Sequence, residues 1–233
     1  HRLDGAEQYF TSAVDFGYSF SRDETFEKWG HDEILRDFVR MIRTIRPDVI
    51  AGLRPDGTGG GQHHQASALL AHEAYTVADD QNRFPEQLSE GLRAWQASKF
   101  YFSAGRRGGR PPVDPMGLTT VDIGRFDQLL GRTYAEIGSH ARSMHKCQGM
   151  SALVALPGLA LARYRLTETT IPERVGVPDQ SLFDGIETSI EGLARFAGSQ
   201  PPSDLVAELA ALSDHAAMAL RAFERGEIDL QRA

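Results

Sequence analysis

The chain has 233 residues, 41% of them hydrophobic, and its 25 Lys and Arg against 32 Asp and Glu leave a formal net charge of −7. That balance describes a globular core and, with no basic cluster beyond one short loop run, argues against nucleic acid or an anionic membrane surface as the main partner. A single cysteine, Cys147, excludes an internal disulfide and a multi-cysteine zinc site, and no apolar run is long enough to cross a bilayer.

From the start of the chain, Glu7 to Phe16 (EQYFTSAVDF) is aromatic and β-branched and reads as a strand ending at Gly17. Ser19 to Trp29 is polar and reads as a loop. Asp15, Phe16 and Gly17 spell the kinase DFG triplet, a coincidence in a chain without a glycine-rich ATP loop or an HRD segment. Between Asp32 and Arg46 the residues Ile34, Leu35, Phe38, Val39, Met41, Ile42 and Ile45 recur at helical spacing, until Pro47 stops the helix. Asp48 to Leu53 (DVIAGL) is a short apolar run without alternation, as expected of a parallel, central strand buried on both faces.

Arg54 to Gly61 (RPDGTGGG) is a glycine loop, followed by His63 and His64 and by a helix with Ala66, Leu69, Leu70, Ala74 and Val77 on one face. Next come a loop and short helix over Asn82 to Ala97, a strand at Lys99 to Ser103, and a Pro/Gly loop from Gly105 to Gly117 that includes the basic run GRRGGR. Thr119 to Ile123 reads as a strand, Thr133 to Met150 contains a helix with Tyr134, Ile137, Ala141 and Met144 on one side, and Leu159 to Thr167 reads as a further strand. Beyond the loop Thr169 to Ser181, two amphipathic helices, Leu182 to Phe196 and Asp204 to Arg225, are separated by GSQPPS, with His215 structural in the second. The order predicts an α/β fold: a Rossmann-like, mostly parallel sheet flanked by helices over residues 1–165, and a C-terminal helical hairpin over 166–233.

In such sheets ligands bind at the carboxyl ends of the strands, where the glycine loop delivers His63 and His64. Imidazole is the commonest protein metal ligand, and glycines beside it let an ion and a substrate approach the backbone. A strand, glycine loop and helix also describes nucleotide-binding turns, but this run lacks a dinucleotide fingerprint and a phosphate-loop lysine. Two adjacent histidines are also common at an ordinary solvated helix start. The residues by themselves leave the metal site and the ordinary helix start both open.

The segment RPDVI, the loop and HHQASALLAHEA resemble the PIG-L (LmbE-like) family of zinc-dependent de-N-acetylases. Further blocks agree with a large bacterial branch of that family: DGAEQYFTSAVDFGYS, RFPEQLSEGLRAWQASKFY and GRTYAEIGSHARSMHKCQGM, so the resemblance runs from about Arg2 to Met150. It implies His64 as a zinc ligand, at the last position of the family motif HPDH, with Gly61 and His63 replacing that motif's first histidine and its aspartate. It implies His63 as the proton source for the leaving amine, Asp15 and Ser19 as sugar contacts, and His145 near Gln148 as a pocket residue, where the residues alone read as a surface histidine. The family's second motif, HPDDE, supplies the other ligands and the general base and does not occur here. The expectation is therefore a chain joined to further N- and C-terminal segments, and the missing signal region leaves the compartment open.

The resemblance implies a zinc-dependent hydrolase that removes acetyl from an N-acetylglucosamine-type sugar or glycoconjugate. A non-catalytic carbohydrate-binding or scaffold domain that has lost a complete metal site is the alternative, and a hydrolase of a different amide a third.

Overall fold

The computed structural model describes residues 3–57, 60–105, 117–148, 155 and 158–224. Thr58, Gly59, most of the basic Gly105–Arg110 run and the Gln148 side chain lie outside that description. The chain falls into two compact units that divide between Asp184 and Gly185.

In the first unit, the predicted loop after Ser19 is largely helical. The Ser21 hydroxyl accepts from the Glu24 backbone N–H at 3.0 Å, and Asp23 and Glu24 favour the amino end, so α1 forms over Arg22–Trp29. Gly30, at φ 76°, then turns the chain into α2, His31–Ile45. β1 (Val49–Gly52), α3 (Gln62–Val77), α4 (Pro85–Ser89), β2 (Lys99–Ser103) and β3 (Leu118–Asp122) follow. A two-residue pairing of β4 (Phe126–Asp127) with β5 (Arg132–Thr133) leads into α5 (Tyr134–Arg142), and β6 (Leu161–Thr169) completes the sheet. α5 lies within the Thr133–Met150 stretch expected to contain a helix. It opens on a reciprocal cap between Thr133 and Glu136, and only a short helical turn, Lys146–Gln148, follows it.

The sheet order is β1-β2-β6-β3. The expected α/β architecture, with helices packed on a Rossmann-like sheet, is present. The sheet is mixed: β1 runs parallel to β2, with Val49 opposite Lys99, while β6 is antiparallel to both β2 and β3. β1 was expected at the centre. It lies instead at an edge of the sheet among the described residues, with Val49 and Ile50 only half-buried.

Alternation along β2 assigns its two faces. Phe100 and Phe102 meet the α3 side chains: His72 lies 5.0 and 5.6 Å from their rings, and Tyr75 5.5 Å from Phe100. Lys99 and Tyr101 point the other way and bind Asp179. The main core joins Ile34, Leu35, Val39 and Ile42 of α2 to Leu70 and Ala74 of α3, on the stripe that helical periodicity predicts. Arg43, 1% exposed within that stripe, donates to the carbonyls of Ala78, Asp80, Arg83 and Phe84 and to Gln87 Oε1. One guanidinium thus satisfies the polar backbone of the turn between α3 and α4.

Two predicted elements are replaced. Glu7 to Phe16 forms no strand, because local side-chain bonds hold it: the Ser12 N–H and hydroxyl both donate to Asp37 Oδ2 at 2.7 Å, and Gly17 N–H donates to Asp15 Oδ1 at 2.9 Å. In the second unit, the first helix of the expected hairpin is only a tight helical turn at Glu191–Ala197. Glu187 accepts from Ser189 N–H, and the Ser189 hydroxyl accepts from Gly192 N–H, so side chains take backbone donors that an α-helix needs. The second helix forms as predicted, as α6 over Ser203–Glu224. The first unit runs on past β6, which continues to Thr169, through a loop that Asp179 bonds to β2.

Candidate functional site

Parallel pairing puts the carboxyl ends of β1 and β2 together, and the glycine loop starts from that edge. Arg54 closes the junction. It donates to the Gly105 carbonyl at 2.9 Å and to Asp56 at 2.9 Å, tying the loop after β1 to the loop after β2. Gln65, in the first turn of α3, donates to the Pro55 carbonyl at 2.9 Å and lies over Gly57. The loop is thus held from both sides where the two histidines enter.

The histidines have different surroundings. His64 is exposed, and its ring lies over Gly60, where a Cβ would come within 2.6 Å of the imidazole. Gly60 is also at φ +156°, so this residue leaves the space the ring occupies. Gly60→Ala is expected to displace His64 and to strain the loop by about 1–3 kcal/mol. A moved His64 ring proton resonance, with the fold otherwise intact by NMR, would verify this.

His63 is half-buried under the segment before α1. Its ring lies 4.7 Å from Phe16 and 5.2 Å from Trp29, whose indole N–H donates to the Val14 carbonyl at 3.0 Å. His63 Nε2 is shielded from solvent and has no hydrogen-bond partner among the described residues. A buried imidazole nitrogen left open beside a glycine loop calls for an explanation beyond packing.

The other expected contacts are dispersed. Asp15 is exposed, next to Phe16, and its carboxylate accepts from the Gly17 N–H. Ser19 is buried, 3% exposed, with its hydroxyl donating to the Ser21 carbonyl and bonded to Thr25 Oγ1, both at 2.8 Å. That hydroxyl holds the start of α1 and does not face an open pocket. His145 follows α5 on an exposed turn, its Nδ1 3.1 Å from the Arg142 carbonyl. It lines an open cleft of about 360 Å³ with Asp4, Gln8, Gly138, Ala141, Arg142 and Met144.

A zinc ion needs about three protein ligands converging on it. His64 suits one of them by exposure and by the glycine beneath it, but among the described residues no group of three or more His, Cys, Asp or Glu stands ready to hold a metal. Sequence reading also passed over the clamp residues Arg54 and Gln65, whose only signal was polar character beside the glycines. His31, with Nε2 2.9 Å from Glu73, and His72, with Nε2 3.4 Å from Glu168, sit in separate pairs on the α2–α3 and α3–β6 sides.

No protein-family model matches the chain. Over 203 aligned residues it is 27% identical to a 1D-myo-inositol 2-acetamido-2-deoxy-alpha-D-glucopyranoside deacetylase of Segniliparus rotundus. The alignment covers 76% of this chain and 58% of that relative, so the chain spans little more than half of the relative's length.

Proposed function

We propose that the chain belongs to the PIG-L (LmbE-like) de-N-acetylases and takes part in hydrolysing the acetamide of an N-acetylglucosamine-type sugar, with a divalent metal, zinc first among the candidates. The observation that carries the reading is the paired environment of His63 and His64 at the carboxyl edge of the sheet: one imidazole exposed over glycine, its neighbour beside two aromatic rings with a buried nitrogen that no described residue bonds. The similarity to a named deacetylase over most of the chain supports it.

In this reading His64 is one ligand of the ion, and the other ligands and the carboxylate base come from outside the described residues. A bound zinc supplies a water that ionises near neutrality and polarises the acetamide carbonyl. His63 holds a proton at Nε2 and yields it to the departing amine; Phe16 and Trp29 keep bulk water from that nitrogen. Asp15, beside Phe16, and His145, in its cleft, are the sugar contacts.

The lack of a three-ligand cluster among the described residues favours one second reading, a non-catalytic carbohydrate-binding domain. The two separate in a hydrolysis assay of the complete protein with N-acetylglucosaminyl glycosides and, as controls, N-acetyl amino acids. Acetate from the glycosides alone is the expected result. Glycoside binding without acetate supports the second reading, and acetate from the amino acids instead assigns a different amide.

A further inference from the structure

No described residue bonds the buried Nε2 of His63, so hydrogen bonding at that nitrogen does not set the direction of the ring. Ring contacts remain: Phe16 lies 4.7 Å from the imidazole and Trp29 5.2 Å from it. Phe16 and Trp29 also meet each other edge to face, at 6.4 Å and 76°.

Phe16 belongs to a stretch without regular structure, and a ring on such a stretch keeps one position only where the backbone around it is tied down. Here the ties fall on alternate residues. Ser12 gives its N–H and its hydroxyl to one oxygen of Asp37, Oδ2, both at 2.7 Å. The Val14 carbonyl accepts from the Trp29 indole N–H at 3.0 Å. Phe16, two residues on, then meets His63, and the Lys28 ammonium 5.2 Å from the centre of its ring adds a cation–π contact. Ala13, between the first two ties, packs against the core that α2 and α3 share.

Asp37 stands on α2, half-buried, and its carboxylate bonds this segment and not the imidazole. Short bonds to a carboxylate are the stronger class of hydrogen bond, and Ser12 is exposed, so core packing does not demand them. Their consequence lies further along the segment, at Phe16.

We propose that Asp37 and Trp29 are positioning residues, which hold Ser12–Phe16 so that Phe16 stays on His63 and Nε2 keeps one direction. What His63 does there rests on the deacetylase reading. A general acid must come within hydrogen-bond reach of the departing nitrogen, and a misplacement of about 1 Å can cost about 10²-fold.

The test uses the complete protein with ring-labelled histidine, at one pH, with the His63 signals assigned through His63→Gln. Asp37→Ala removes both Ser12 bonds, and Trp29→Phe keeps an aromatic ring but loses the bond to Val14. Each should move the His63 ring signals and leave those of His72, which Phe100 and Phe102 surround, in place. Both Ser12 bonds end on a single oxygen, so Asp37→Asn, which keeps one carbonyl oxygen, should restore the wild-type signals. With an N-acetylglucosaminyl glycoside as substrate, Asp37→Ala and Trp29→Phe should each lower kcat about tenfold, with KM and metal content unchanged and Asp37→Asn close to wild type. Unmoved His63 signals overturn the proposal, and so does an Asp37→Asn as impaired as Asp37→Ala, or a kcat indifferent to both ties. Moved signals in a protein that releases no acetate would keep the positioning and sink the deacetylase reading, whereas acetate release with unmoved signals would do the reverse.

Discussion

Asp179→Ala is expected to destabilise the first unit by about 3–5 kcal/mol, because it leaves the buried Lys99 ammonium and the partly exposed Arg174 without their counter-charge. Lys99 and Tyr101 are 0% exposed on the face of β2 that points away from α3, and Asp179 is 4% exposed. Lys99 Nζ lies 2.8 Å from Asp179 Oδ2, the Tyr101 hydroxyl donates to the same oxygen, and Arg174 Nε donates to Oδ1 at 2.7 Å. Arg174 also reaches the Pro178 carbonyl at 3.0 Å, so one carboxylate fastens the loop after β6 to the sheet. Asp179→Asn keeps the shape and one acceptor and should cost less.

Burial pushes the Asp179 carboxyl up, but the hydrogen bonds from Lys99, Tyr101 and Arg174 outweigh it and hold the group below the usual carboxylate range. A depressed folded value means that the stabilisation is present above the unfolded pKa, about 4, and is lost as pH falls through the folded value. Urea unfolding should therefore separate wild type from Asp179→Asn widely at pH 7 and much less near pH 2. A gap that does not narrow would show that packing, and not the charge, sets the cost. Burial likewise raises the Tyr101 phenol, helped by Asp179, so the hydroxyl stays a donor throughout this range.

The second large effect is expected at the histidine pair. In the complete protein His64→Ala should lose bound metal and reduce acetate release to background, whereas His63→Gln should keep the metal and slow turnover about 10²–10⁴-fold, as for loss of a general acid. Elemental analysis after dialysis, alongside the acetate assay, reads both. Metal retained by His64→Ala would remove that residue from the ligand set, and an unaffected rate in His63→Gln would remove His63 from the proton transfer.

Elements whose own residues decide them were legible in the sequence. The α2 stripe from Ile34 to Ile42, β2 at Lys99–Ser103 and α6 follow from periodicity and from the glycines and prolines around them. β1 was legible as a strand parallel to its neighbour but not in its place in the sheet, because an apolar run does not say how many neighbours it finds. The strand expected at Glu7–Phe16 and the helix expected at Leu182–Phe196 failed for a common reason. Asp15, Asp37, Glu187 and Ser189 take backbone donors that the regular elements would have used. His63 and His64 were legible as a pair because a glycine loop announced them. Their difference in environment was not, since Phe16 and Trp29 reach His63 from distant sequence. Of the Asp179 partners only Arg174 is local, five residues away; the two buried ones lie 80 residues away at Lys99 and 78 away at Tyr101, and nothing near Asp179 announces them.

The deacetylase account stands or falls on acetate release by the complete, zinc-loaded protein from 1D-myo-inositol 2-acetamido-2-deoxy-alpha-D-glucopyranoside, the compound named for its relative. The account predicts one acetate and one free sugar amine per molecule consumed, halted by a chelator and restored by added zinc. Substrate that binds but stays acetylated across the divalent metals would contradict it, and would make the histidine pair part of a carbohydrate-binding surface.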